Sequence, residues 1–218
     1  MRFFLSLLLF AAALQASHCY FVPPVGWEIA HLKTPSPHVK IGFLGQGSTD
    51  FRPSINLAVE EVDVSLKEYV KAVKELQLTD PTTQWRDLGP LPMKGGRGQL
   101  TEMSGSCPWG DIKIFQAFLV ADQTAYILTA AILKEDLPKV REALFAAFRS
   151  LNVVSDLSSP LSNANEREAF QALFTSLGKS GEKEEEWKKF QREVEHFSEL
   201  GPHWQFLALQ EGRLKIFQ

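Results

Sequence analysis

Residues 93–100 read M-K-G-G-R-G-Q-L, so Gly95, Gly96 and Gly98 are interleaved with Lys94 and Arg97. Flexible backbone beside two cations is the composition of a phosphate cradle. The order of residues argues otherwise. A Walker loop places its lysine after the glycines and opens a helix. Here Lys94 comes before them, and an alternating, strand-like stretch follows. A dinucleotide loop needs a third glycine three residues on, which Gly96-Arg97-Gly98 lacks. The stretch is therefore expected to be a turn or bulge entering a strand, with Lys94 and Arg97 on a ligand or partner surface.

Cys107 lies in Ser104-Gly105-Ser106-Cys107-Pro108-Trp109-Gly110. A nucleophilic thiolate needs a base beside it. None of His18, His31, His38, His196 or His203 stands in a recognisable relation to Cys107. Pro108 and Gly110 read as turn punctuation, and Trp109 as an aromatic anchor for a partner. There is no H-E-x-x-H and no C-x-x-C, and His31 with His38 is one pair where zinc wants three or four donors. No catalytic, cofactor-binding or metal-binding set is expected.

Two readings stay open for Cys19. A Cys19–Cys107 disulfide would suit an oxidising compartment and stabilise by ~4 kcal/mol on the chain-entropy account. Alternatively, Ala16-Ser17-His18-Cys19 is similar to a lipobox, apart from the bulky His18, and Cys19 would then carry a lipid. That lipid would be the protein's one link to a membrane.

The elements that position these residues begin with a leader. Met1-Arg2 supplies a positive charge, and Phe3 to Leu14 is apolar except for Ser6. That run is too short to span a ~30 Å hydrocarbon layer as a helix. Residues 1–16 are expected to be a signal peptide cut after Ala16. The protein would then be exported to the periplasm or held at the outer membrane. The formal net charge is −3, from 23 basic and 26 acidic residues, so nothing favours nucleic acid.

Strands are expected over residues 27–30, 39–44, 55–64, 85–88, 99–104, 112–120 and 126–133, with alternation plainest in 39–44 and 112–120. Residues 126–133 are apolar on both faces, as in a strand covered on each side. Gly89-Pro90 is expected to end the fourth strand. Ser65 and Glu68 form a capping box opening a helix with Leu66, Tyr69, Val70, Val73 and Leu76 on its buried stripe. Asp136 opens another, with Val140, Leu144, Phe145, Phe148 and Leu151 inward. Residues 155–164 read as a linker by composition. Residues 165–218 form a helical extension: one helix to Leu177, a second over 182–200, and a terminal β-hairpin turning at Glu211-Gly212.

Residues 27–154 resemble the PsbP-like family in order. The stretches are W-E-I, V-K-I-G-F, F-R-P-S-I-N-L-A-V-E-E-V, S-L-K-E-Y-V-K-A-V, G-P-L-P-M-K-G-G-R-G-Q-L, I-K-I-F-Q-A-F-L-V, T-A-Y-I-L-T-A-A-I and R-E-A-L-F-A-A-F-R-S-L. The family includes extrinsic photosystem II proteins, a Ran-GTPase-binding import factor and exported bacterial lipoproteins. The resemblance implies an α+β fold, an antiparallel β-sheet flanked by helices, over residues 20–154. It also implies a non-enzymatic binding or scaffold protein of the cell envelope, whose partner is an envelope protein or a small apolar ligand. A secreted hydrolase or thiol enzyme using Cys107 is the alternative.

Overall fold

The computed structural model describes residues 18–31, 36–179 and 181–218. The expected signal peptide lies outside the described residues. Nine strands and five α-helices are found among them. Seven strands form one antiparallel sheet in the order β2-β3-β4-β8-β7-β6-β5. They are β2 (Glu28–Ile29), β3 (Val39–Leu44), β4 (Ser54–Glu61), β5 (Gln84–Met93), β6 (Gly96–Cys107), β7 (Gly110–Ala121) and β8 (Thr124–Leu133). The doubly apolar strand, β8, lies at the centre.

Period-two alternation sorts the side chains onto two faces. Phe43, Ile55, Ala130 and Phe115 stand in register across one face and are all buried. Leu144, Ala147 and Phe148 of α2 (Leu137–Arg149) close that face. On the other, Phe118, Ala125 and Ile127 meet Leu66, Tyr69, Val70 and Val73 of α1 (Leu66–Gln77). Leu76, expected on that stripe, is exposed. The capping box of α1 is formed: Glu68 N–H donates to Ser65 Oγ, and Ser65 N–H to the Glu68 carboxylate. A sheet between helices is the α+β sandwich that the sequence led us to expect.

The fourth expected strand does not stop at Gly89-Pro90 but continues to Met93. A bulge between Asp87 and Gly89, with Gly89 at φ +95°, absorbs the irregularity. Strand β5 lies at the sheet edge, where Pro90 and Pro92 sacrifice no ladder bond by lacking an N–H. A small second sheet pairs β1 (His18–Tyr20) with β9 (Asn152–Val154).

The C-terminal part corrects one expectation. Residues 204–217 are not a hairpin but most of α5 (Gly201–Phe217), which follows α3 (Ala164–Ser176) and α4 (Lys183–Glu195). Gly212, read as a turn, sits inside α5 because the Phe190 ring of α4 packs where its side chain would be. A Cβ there would lie 2.0 Å from that ring. The expected helix 182–200 breaks after Glu195, and a short 3-10 turn (Ser198–Leu200) leads to Gly201 at φ +82°. Phe170, Phe190, Val194, Trp204 and Ile216 form the core of this part, together with Tyr20 of β1. Segment 155–164 is packed as well: Leu157 and Leu161 are buried, and Trp204 Nε1–H donates to Leu157 O at 3.0 Å. Among the described residues no helix is long and apolar enough to cross a membrane.

Candidate functional site

The glycine-rich stretch forms the tip of the β5–β6 hairpin, with Met93 opposite Gly96. Two of its amides are already used. Lys94 N–H donates to Arg149 O at 3.0 Å, and Gly95 N–H to Leu151 O at 2.8 Å. A Cβ on Gly95 would approach Val153 N to 2.9 Å, and one on Gly98 would approach Phe118 O to 2.2 Å. These glycines let backbones pack closely.

Trp109 and Cys107 lie at the other end of β6, in the β6–β7 hairpin. Eleven residues of strand put them about 35 Å from Lys94 and Arg97 at ~3.3 Å per residue. The named residues therefore do not form one surface. Trp109 is 48% exposed, leans on Phe51 with ring centres 6.0 Å apart, and borders a shallow groove with Asp111, Leu133 and Lys134.

The same distance excludes the Cys19–Cys107 bridge. Cys19 pairs with Val153, beside Gly95, at the far end of β6 from Cys107. Both cysteines are free. Cys19 itself is buried in a strand paired to β9, and burial pushes its thiol far above its usual range.

A buried carboxylate, Glu102, accepts from Lys113 Nζ at 2.6 Å and from Arg86 at 2.7 Å; Lys113 also donates to Ser104 Oγ at 2.7 Å. Desolvation pushes the Glu102 carboxyl up, but the hydrogen bonds from Lys113 and Arg86 outweigh it and hold the group below its usual range. With both oxygens engaged, Glu102 is a structural ion rather than a free base. Among the described residues no three His, Cys, Asp or Glu side chains are placed to hold a metal.

A concavity of about 840 Å³ lies between the sheet and α5. His203, Phe206, Leu207 and Gln210 line it from one side of α5, at helical spacing i, i+3, i+4, i+7. Val39, Leu57, Val59 and Tyr126 face them from β3, β4 and β8. Lys40, Glu61 and Asp122 also border the cleft. His18 Nδ1 lies 3.0 Å from Glu211 and ties β1 to α5.

His203 is 1% exposed. Its Nδ1 accepts from Phe21 N–H at 3.2 Å, and its ring meets those of Phe21 and Phe43 at 5.0 and 6.3 Å. Burial pushes its pKa down to about 3, so the ring is neutral at ordinary pH. An accepting Nδ1 leaves the proton on Nε2. The cleft sets apolar side chains from β3, β4 and α5 among polar ones, Thr124, Tyr126, Ser155 and Gln210 included, an arrangement suited to binding. The cleft is hidden from a reading of the sequence that makes 204–217 a hairpin. The i, i+3, i+4, i+7 spacing of 203, 206, 207 and 210 was the signal available.

No protein-family model matches the chain, and no curated protein matches its sequence. Solved structures match its fold. LpqN, involved in cell envelope biogenesis of Mycobacterium tuberculosis, superposes with a TM-score of 0.50 at 12% identity, over 66% of this chain and 87% of its own. The cyanobacterial PsbP protein CyanoP from Synechocystis sp. PCC 6803 gives 0.43 at 12%, over 66% and 95%. The Saccharomyces cerevisiae Ran-binding protein Mog1p gives 0.45 at 19%, over 64% and 92%. The strand order, the helix on each face and the superposition on LpqN show that about two thirds of the chain shares the fold of LpqN, an antiparallel sheet between helices.

Proposed function

We propose that the chain is an exported, non-enzymatic binding protein of the cell envelope that holds a small apolar ligand between its sheet and α5. The cleft carries this reading. At about 840 Å³ it falls within the ~300–1,000 Å³ usual for small-molecule sites, and Val39, Leu57, Val59, Phe206 and Leu207 form the apolar part of its walls. The signal-peptide pattern of residues 1–16, a basic start followed by a short apolar run, supports export, and LpqN offers a case of this fold serving in a cell envelope. Trp109 would serve a protein partner at the opposite end. A thiol enzyme using Cys107 is the weaker reading, since no histidine bonds that cysteine among the described residues.

The test is binding of Nile red, an uncharged apolar dye, to the full chain. Saturable binding with a blue-shifted emission is expected, and Val59→Trp, which fills the cleft, is expected to abolish it. Dye binding unchanged in Val59→Trp would count against the cleft.

A further inference from the structure

A second groove, of about 380 Å³, lies between α1 and the edge strand β5. Leu66, Val70 and Trp85 are its apolar lining, and Trp85 rests against the core beneath α1. Lys67, Lys71 and Lys74 border it from α1, at spacings i, i+4 and i+7 that set them on one flank of the helix.

The charge of this groove is one-sided. Asp87 is the only acid in its lining, and its carboxylate already accepts from Gly89 N–H and the Gln99 side-chain amide. Of the nearby acids on α1, Glu68 bonds Ser65 and Glu75 lies 3.8 Å from Lys71. Among the described residues, neither Lys67 nor Lys74 forms an ion pair. The chain as a whole carries −3, so this positive flank is a local feature.

The backbone beside the groove is open as well. Strand β5 ends the sheet, and no described strand pairs with its outer edge. Gln84, Arg86 and Asp87 are exposed along it. Pro90 and Pro92 carry no N–H, which leaves residues 84–87 as the stretch able to take a further strand. A strand added there, ~4.8 Å from β5, would run along the groove with alternate side chains toward Trp85 and the lysines. Lysines beside an open edge repel a second copy of the same edge and favour an acidic one.

We infer that the α1–β5 groove docks an acidic, extended segment of a partner protein. The segment pairs with β5 at residues 84–87, seats an apolar side chain against Trp85, and turns its carboxylates to Lys67, Lys71 and Lys74. This surface is separate from the cleft beside α5 and does not depend on it.

The experiment is fluorescence anisotropy of a fluorescein-labelled peptide of alternating Glu and Val, titrated with the full chain. Saturable binding is expected. Reversing two charges, Lys67→Glu with Lys74→Glu, is expected to weaken it about tenfold. Both side chains are exposed, so the variant is expected to fold. On the wild-type chain, the same peptide with every amide N-methylated keeps its carboxylates but cannot pair with a strand edge, and is expected to bind about tenfold more weakly. Val59→Trp, in the other cleft, is expected to leave the affinity unchanged. Absent binding, indifference to the charge reversal, or equal binding of the N-methylated peptide overturns the inference. Loss of binding in Val59→Trp overturns it too, by moving the peptide to the cleft beside α5. Phosphatidylglycerol vesicles bound through Lys67 and Lys74, with no peptide binding, would overturn it in favour of a membrane surface.

Discussion

Phe21 N–H donates to Nδ1 of His203 across 182 residues of chain, at 3.2 Å and out of reach of water. This one bond joins the segment after β1 to the first turn of α5 and thereby fixes one wall of the cleft. Protonating Nδ1 would turn the acceptor into a donor and set two N–H groups against each other.

The pH dependence follows. The His203 pKa is about 3 in the folded chain, against an ordinary value of 6.5. The unfolded state therefore binds the extra proton throughout the window between them. Stability from this site is fully present above pH 6.5 and declines as pH falls toward 3, by about 1.4 kcal/mol per unit. Urea midpoints measured from pH 7.5 to 4.5 are expected to fall, and His203→Asn is expected to flatten the curve above pH 5. A flat wild-type curve over that span would falsify the buried, neutral assignment.

Gly212 tests the helical ending of the chain. In an isolated helix Gly→Ala gains ~1 kcal/mol. Here the added methyl would meet the Phe190 ring at 2.0 Å, and Phe190 is fully buried. Overpacking of that kind costs ~1–3 kcal/mol, so Gly212→Ala is expected to lower the melting temperature. Phe190→Leu in the same chain should recover part of the loss. A stabilised Gly212→Ala chain would contradict the α4–α5 packing.

The glycine-rich hairpin gives a contrast between side chains and backbone. Lys94→Ala with Arg97→Ala is expected to leave stability within ~0.5 kcal/mol, as at most surface sites. Inorganic phosphate should shift the melting temperature of neither chain, because the loop amides are bonded to Arg149 and Leu151. Gly98→Ala, with Phe118 O in the way of its methyl, should be destabilising. Phosphate stabilising the wild-type chain alone would restore the anion site.

The cysteines are distinguishable by labelling. Cys107 is partly exposed and should react promptly with a disulfide reagent, whereas buried Cys19 should react only on unfolding. A reducing agent should leave the melting temperature unchanged. Two unreactive thiols recovered on reduction would reveal a bridge and sink the assigned separation.

Glu102 anchors two cations on the sheet face. Glu102→Gln leaves Lys113 without its buried counter-ion and is expected to cost ~1–3 kcal/mol. Arg86→Ala, whose side chain is largely exposed, should cost under ~1 kcal/mol. Denaturant midpoints of the two variants should therefore separate in that order; equal losses would place Glu102 nearer to solvent.

The sheet and its two covering helices were legible along the chain. Alternation in 39–44 and 112–120 depends on local stereochemistry, since successive side chains point to opposite faces. The α1 cap is equally local, Ser65 and Glu68 lying three residues apart. What lay beyond reach depended on distant partners. Gly212 reads as a turn until Phe190 occupies its missing side chain. Gly89-Pro90 reads as a stop until β5 proves to be an edge strand, where a missing N–H is harmless. Cys19 and Cys107 read as a pair until β6 holds them at its two ends. The sequence alone determined which residues alternate, cap and break. Only the tertiary structure decided that α5 faces β3, β4 and β8 across a cleft lined by His203, because that depends on which surfaces meet, a non-local packing that helical spacing along the chain does not by itself fix.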